Sequence, residues 1–237
     1  MLTCNDIRAD LDARGFTIVE DVVPALTVAA AIAAIEQADA SAARRRQGAT
    51  YAVRNLLQSV PAMRDIAEHG EVQRLVSEVL GPGAICSRAI LFDKNPNANW
   101  AVPWHQDTTI AVRQRLDAPG FGPWSIKAGV HHVQPPASVL DGMLTVRVHL
   151  DDCGEDNAPL RVIPGTHRRG MLDADLLEHV HRSGPAVTCT VRASGALLMR
   201  PLLLHASSPA NAPGHRRMVH LEWSTTPLPH GLEWNRA

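Results

Sequence analysis

Trp104-His105-Gln106-Asp107, followed by Thr108-Thr109-Ile110-Ala111-Val112, is the stretch on which the reading of this chain turns. In extended chain residues i and i+2 point to the same side, whereas a helix needs a spacing of three or four. Pro103 before the pair and the β-branched run after it favour extended chain. His105 and Asp107 are therefore expected side by side on one face. A further histidine stands in Leu203-Leu204-His205-Ala206-Ser207. Two imidazoles and one carboxylate are the set that holds a non-haem Fe(II) on one face and leaves the opposite face open. The motif is short and the chain has 12 histidines, so the context of His205 has to carry the reading.

That context is a run from Ala196 to His205 that reads as a buried strand, then a turn-rich stretch from Ser207 to Gly214. His215 to Trp223 alternates as a second strand. The sequence predicts a hairpin, with His205 leaving the first strand and Arg216 entering the second. A guanidinium near a metal suits a dicarboxylate that chelates at one end and needs a forked partner at the other, which Arg supplies better than Lys. By itself, Arg216 reads first as an ordinary surface strand arginine.

At this point the chain resembles the phytanoyl-CoA dioxygenase family of Fe(II)- and 2-oxoglutarate-dependent oxygenases, from roughly Gly15 to Trp223. The anchors are Phe92-Asp93-Lys94-Asn95-Pro96, Trp104-His105-Gln106-Asp107, Leu160-Arg161-Val162-Ile163-Pro164-Gly165-Thr166-His167 and Leu204-His205-Ala206-Ser207, with Arg216 beyond them. The resemblance implies iron ligands His105, Asp107 and His205, with no catalytic residue beyond them. It implies Arg216, rather than Arg217, as partner of the distal 2-oxoglutarate carboxylate. Ser207 is expected to add a hydroxyl to that carboxylate, since it shares a face with His205 if extension continues. Where the family often has Asn-Gly, this chain has Asn157-Ala158-Pro159, so a turn of different shape is expected. The implied reaction consumes 2-oxoglutarate and dioxygen, releases succinate and CO2, and hydroxylates a C–H bond of a small molecule. The alternative is a cupin-like hydrolase or isomerase with another metal at the same ligands and no 2-oxoglutarate.

Composition sets bounds. The chain has 237 residues, enough for one sizeable core and short for two. A single domain over 1–237 is expected, helical over about 1–83 and a barrel over about 84–226. A formal net charge of −1 argues against a nucleic-acid partner that relies on a broad basic field. Arg44-Arg45-Arg46 reads as a solvated helix end or loop. Four scattered cysteines without CxxC spacing suit reduced thiols in a cytoplasmic protein. Asp6, Asp10 and Asp12 interrupt any signal peptide, and no apolar run is long enough to span a membrane.

Along the chain, helix precedes strand. Pro24 to about Ala43 reads as a helix with Leu26, Ala30, Ala33 and Ala34 on one face, and Pro61 to Leu80 as another, stopped by Gly81-Pro82-Gly83. Ala84–Phe92, Gly142–Leu150, Ala186–Arg192, Gly195–Leu204 and Arg216–Ser224 read as strands, and Asp173–His181 as a short helix. This is mainly β with flanking helices, a double-stranded β-helix of jelly-roll, cupin-like type with N-terminal helices packed on the barrel. Asn95–Pro103 and Val112–Pro136 read as long irregular loops, which commonly form lids or binding surfaces.

Those loops supply the substrate candidates. Trp100 and Trp104 are expected to wall the metal with apolar surface, while Trp124 is expected to pack a loop onto the barrel. His220 shares a face with Arg216 and Met218. Lys94 precedes the iron motif, and Arg54 falls where family members place a basic residue near 2-oxoglutarate. Over Met143 to Leu150 either face can be interior, the polar one (Thr145, Arg147, His149) or the apolar one (Leu144, Val146, Val148).

Overall fold

The computed structural model describes residues 4–38, 43–46 and 49–237. The N-terminal part contains helices α1 (Cys4–Ala13), α2 (Ala25–Gln37), α3 (Leu56–Ser59), α4 (Arg64–Ala67) and α5 (Gly70–Leu80). It also contributes strands β1 (Phe16–Val19), β2 (Ala43–Arg46) and β3 (Ala49–Arg54). Then come β4 (Ile85–Lys94), β5 (Val102–His105), β6 (Ile110–Val112), β7 (Trp124–Lys127), β8 (Val130–Val133), α6 (Ala137–Asp141) and β9 (Met143–His149). The C-terminal part holds β10 (Leu160–Val162), α7 (Ala174–Ser183), β11 (Val187–Cys189), β12 (Ala196–Met199), β13 (His205–Ser207) and β14 (Arg216–Ser224). No helix among the described residues is long and apolar enough to cross a membrane.

The strands form a seven-stranded sheet in the order β1-β12-β9-β14-β4-β3-β2, a four-stranded sheet β11-β10-β13-β5, and a small sheet β6-β8-β7. The two larger sheets face one another as a double-stranded β-helix, and residues of both line one cavity between them. The N-terminal helices cover the outer face of the large sheet. Leu144, Val146 and Val148 of β9 and Val219 and Leu221 of β14 pack there against Ile66, Val72, Leu75 and Val76. Strand alternation then sends Arg147, Arg216 and His220 inward. The face of β9 that the sequence left open is thus decided by the helices: the apolar side is outside the barrel but under a helical cover.

Several expectations are corrected. The stripe buried on α2 is Val28 and Ala31 with Ile32 and Ile35, while Leu26 lies on the opposite face, 82% exposed. That helix stops at Gln37; the expected continuation over 39–42 lies outside the described residues, and Ala43 opens β2. The Arg44-Arg45-Arg46 run is therefore strand rather than helix end or loop. The helix expected from Pro61 to Leu80 breaks before Gly70, where His69 turns extended (ψ 135°) and its Nδ1 accepts from Glu71 N–H. A glycine inside a helix is a weak link, and here it becomes the first residue of a new one. Strands β1 to β3 lie inside the part expected to be helical. Val112–Pro136 holds the β7–β8 hairpin rather than an irregular loop.

The most consequential correction concerns the expected hairpin before Arg216. Strand β12 ends at Met199, and Pro201, which has no N–H to give a ladder, starts a crossing to the other sheet. His205 opens β13, which pairs with β10 and β5, while β12 and β14 are separated in the large sheet by β9. The metal candidates and Arg216 therefore face each other from opposite sheets.

Leu75→Ala, a fully buried position between α5 and the sheet, should cost about 2–5 kcal/mol of unfolding free energy in urea melts. Leu26→Ala should stay within roughly 0.5 kcal/mol of the parent. Equal losses at both would show that α2 is rotated relative to this description.

Candidate active site

His205 is paired directly with His105 in the β13–β5 ladder, and their ring centroids are 4.2 Å apart. Asp107 follows the end of β5, and its backbone N–H donates to the Pro201 carbonyl at 2.9 Å, tying the two segments together. His105 Nε2 lies 3.9 Å from Asp107 Oδ1, and His205 Nε2 lies 3.8 Å from Asp107 Oδ2. One ligand atom from each of the three residues falls within 4.8 Å of the others.

The tautomers are set locally. Nδ1 of His105 lies 2.8 Å from the Pro103 carbonyl, and Nδ1 of His205 lies 2.8 Å from the Leu203 carbonyl. A carbonyl only accepts, so each Nδ1 carries the proton and each Nε2 presents a lone pair toward Asp107. Burial lowers the His205 pKa to about 3, against the pull of Asp107, which keeps the ring in its neutral ligand form. Burial would raise the Asp107 carboxyl, but His205, His220, His105 and Arg88 hold it well below the usual carboxylate range. Its Oδ2 is buried without a hydrogen-bond partner. A cation held by the two Nε2 atoms and this carboxylate would answer that orphaned oxygen, so the residues fit Fe(II).

A second cluster, Asp107 with His220 and Glu222, also brings potential ligand atoms together. Two of its atoms, Glu222 Oε1 and His220 Nε2, are already engaged with each other. The Glu222 carboxylate accepts from Arg88 and lies 3.0 Å from His220 Nε2. It is a buried ionic group rather than an open ligand set.

The strand carrying His205 is braced from below. Thr166 Oγ1 donates to the Ile163 carbonyl at 2.8 Å and accepts from Leu204 N–H at 2.9 Å. Gly165 before it takes φ +77°, a left-handed conformation that favours glycine. The Pro164-Gly165-Thr166-His167 segment thus positions the β13 ligand.

The three candidate ligands share a cavity of about 320 Å³ with Arg216, Ser207, Trp100, His220 and Arg54. Arg216 is buried, and a guanidinium N–H donates to the Ala158 carbonyl. Ala158 itself takes φ +53°, so the turn keeps the left-handed conformation that glycine would adopt, despite the missing glycine. Arg217 points the other way and makes a forked pair with Asp151 at 2.8 and 2.9 Å. The Ser207 hydroxyl accepts from Lys94 Nζ at 2.6 Å.

Two candidates stay off the cavity wall. Trp104 lies one residue from His105 and so faces away; it packs near His181 and under Arg161. Lys94 sits behind Ser207, 1% exposed, its ammonium bound to Ser207 and to the Ser208 carbonyl. Burial, with Arg216 and Arg147 nearby, lowers its pKa to about 7. Trp124 packs in the cluster around the small sheet. Sequence reasoning singled out neither Arg88 nor Lys127, and left Arg147 undecided; all three line the cavity. Arg147 is 8% exposed and has no hydrogen-bond or ion-pair partner among the described residues.

The phytanoyl-CoA dioxygenase model matches residues 11–218. The chain belongs to the phytanoyl-CoA dioxygenase family. Its members are Fe(II)- and 2-oxoglutarate-dependent enzymes that act on small molecules with dioxygen. No curated protein sequence matches the chain. Among solved structures it is similar to AviO1 from Streptomyces viridochromogenes Tue57, at 20% identity over 97% of this chain and 98% of that one, TM-score 0.71. The epimerase SnoN, in complex with Fe3+, alpha ketoglutarate and nogalamycin RO, is 18% identical over 99% and 95%, TM-score 0.73. EctD from S. alaskensis, with 2-oxoglutarate and 5-hydroxyectoine, is 20% identical over 92% and 74%, TM-score 0.69. At these identities the likeness is one of fold.

Alanine at His105, Asp107 or His205 should weaken Fe(II) binding by more than roughly 100-fold, beyond the 10–100-fold typical of losing a ligand's hydrogen-bond partner. The far-UV circular dichroism should be unchanged, because the ligands sit on preformed strands. Anaerobic Fe(II) titration with parallel spectra checks this; global unfolding of all three variants would mark a structural metal instead.

Proposed function

We propose that this protein is an Fe(II)- and 2-oxoglutarate-dependent hydroxylase of a small molecule, built as one phytanoyl-CoA dioxygenase-like domain. The observation that carries the reading is the juxtaposition of His105, Asp107 and His205 with buried Arg216 in a single cavity. Bound Fe(II), 2-oxoglutarate and dioxygen together would supply an oxidant for an unactivated C–H bond, one oxygen atom going to the product and the other to succinate, with CO2 released.

The residues divide the remaining work. His105, Asp107 and His205 would hold the iron, leaving its cavity side open to the cosubstrate and dioxygen. Arg216 would receive the distal carboxylate of 2-oxoglutarate, with Ser207 beside it. The buried, unpartnered Arg147 gives the same dianion a second cation, since a guanidinium is costly to bury without an anion. Trp100 and Phe92 line the cavity and would keep water from the reacting centre. Hydroxylation is the outcome we favour, although the similar structures include the epimerase SnoN and the carbocyclase SnoK. In a cupin-like hydrolase Arg216 would bind the substrate instead of 2-oxoglutarate.

Fe(II) with 2-oxoglutarate under anaerobic conditions should give a weak visible charge-transfer band, and a substrate screen should then read succinate release. A metallated protein with no band and no 2-oxoglutarate heat in calorimetry would favour the hydrolase.

Arg216→Lys should weaken 2-oxoglutarate binding by about 1–3 kcal/mol, the range of a charge-assisted hydrogen bond, with less effect on iron. Arg217→Lys should leave 2-oxoglutarate affinity unchanged, because that side chain pairs with Asp151 on the outer face. Calorimetry with 2-oxoglutarate compares them; a critical Arg217 and a silent Arg216 would contradict the strand register.

A further inference from the structure

The cations around the cavity form two groups. Arg216 lies opposite Lys94 at the start of β14, whereas Glu222 lies opposite Arg88 near its end. Six residue steps along the strand separate these two rows, roughly 20 Å at about 3.4 Å per residue. Between them runs a row across four strands: Arg147, His220, Ile90 and Arg54. Arg147 acts electrostatically on Arg216, and Arg88 and Arg54 act on Lys127. 2-Oxoglutarate held at Arg216 therefore leaves the second group, Lys127 with Arg88 and Arg54, on the far flank.

Lys127 reaches that flank because its hairpin is pinned there. It ends β7, and the Ala128 carbonyl in the turn accepts from Asn55 Nδ2 at 2.9 Å, directly after Arg54. The Lys127 ammonium has a single hydrogen bond, to Thr109 Oγ1 at 3.4 Å, and no carboxylate within ion-pairing distance among the described residues. Burial, then Arg88 and Arg54, lower its pKa in spite of Glu222 and Asp107. Arg88 is balanced by Glu222. His132, on the same side, is kept neutral by burial, which lowers its pKa to about 4. With Asp107 only partly offsetting Fe(II), and 2-oxoglutarate set against Arg216 and Arg147, positive charge is left at Lys127. Ile90, Phe92, Trp100 and Val102 supply apolar lining to the same cavity.

From this we infer that the substrate is a small molecule with an apolar body and an anionic head group, carboxylate or phosphate ester, which Lys127 receives on the flank away from Arg216. The inference rests on the Fe(II)/2-oxoglutarate reading, because it assigns Arg216 to the cosubstrate.

Calorimetry on the full chain, loaded anaerobically with Fe(II) and saturating 2-oxoglutarate, tests it with four probes of equal chain length: hexanoate, hexyl phosphate, hexanamide and hexylammonium. At least one anion should bind at least tenfold more tightly than the amide and the ammonium. Preference for hexanoate or for hexyl phosphate identifies the head group. Lys127→Met should weaken the bound anion about tenfold and leave 2-oxoglutarate affinity within twofold, and Lys127→Arg should keep the anion preference. Equal binding of hexanamide and the anions, no binding of either anion at millimolar concentration, or an indifferent Lys127→Met would overturn the inference. The 2-oxoglutarate titration made first separates the two readings: normal 2-oxoglutarate binding with indifferent anions sinks only the head-group site, and absent 2-oxoglutarate binding sinks both.

Discussion

The pairing of His205 with His105 across two short strands is the constraint on which the rest of the site depends. Neither strand is long enough to be stable alone, since β13 has three residues and β5 four. They are held by β10, by the Thr166 hydroxyl under Leu204, and by Asp107 N–H on the Pro201 carbonyl. Each ring is then locked by a carbonyl two residues earlier in its own chain. The same backbone that positions the rings thus chooses their tautomer, so ligand geometry and protonation state are specified together. A one-residue slip of β13 would turn both His205 and Ser207 away from the cavity at once.

Around that pair, the fold concentrates positive charge along the walls of one cavity. Five of the residues lining the cavity are Arg or Lys, and Asp107 is the only acid among them. Such an arrangement is unfavourable until anions arrive, and it fits a site that takes a dianionic cosubstrate. Glu222 partly relieves it by accepting from Arg88 and lying beside His220, at the cost of burying an ion pair. The helices on the outer face make this possible. By covering Leu144, Val146 and Val148 they bury the apolar side of β9, so its polar side can face inward.

Much of this was legible in the sequence, and the failures have physical causes. The His-x-Asp spacing, the shared face of His205 and Ser207, and the shared face of Arg216 and His220 follow from period-2 geometry, which needs no knowledge of the partner strand; that this face of β14 is the inner one came from the family resemblance. The predicted hairpin failed because an apolar run with a proline in it reads as one strand, although Pro201 moves the chain to another sheet. Arg147 was left undecided because alternation gives two faces and only the helical cover says which is inside. Lys127 was missed because the β7–β8 turn uses Ala128 and Gly129, both at positive φ, without the Asn-Gly or Asp-Gly signature that marks such hairpins. Trp104 was misplaced by proximity in sequence: adjacent residues on a strand face opposite ways.

The central claim is that one ion sits between His105, Asp107 and His205 rather than in the neighbouring Asp107, His220 and Glu222 cluster. A crystal structure of protein grown anaerobically with Fe(II) and 2-oxoglutarate, with anomalous data at the iron edge, addresses it directly. The account predicts a single anomalous peak bonded to the Nε2 atoms of both histidines and to the Asp107 carboxylate, with a 2-oxoglutarate carboxylate on Arg216. A peak bonded to Glu222 and His220, or 2-oxoglutarate turned away from Arg216, would contradict it.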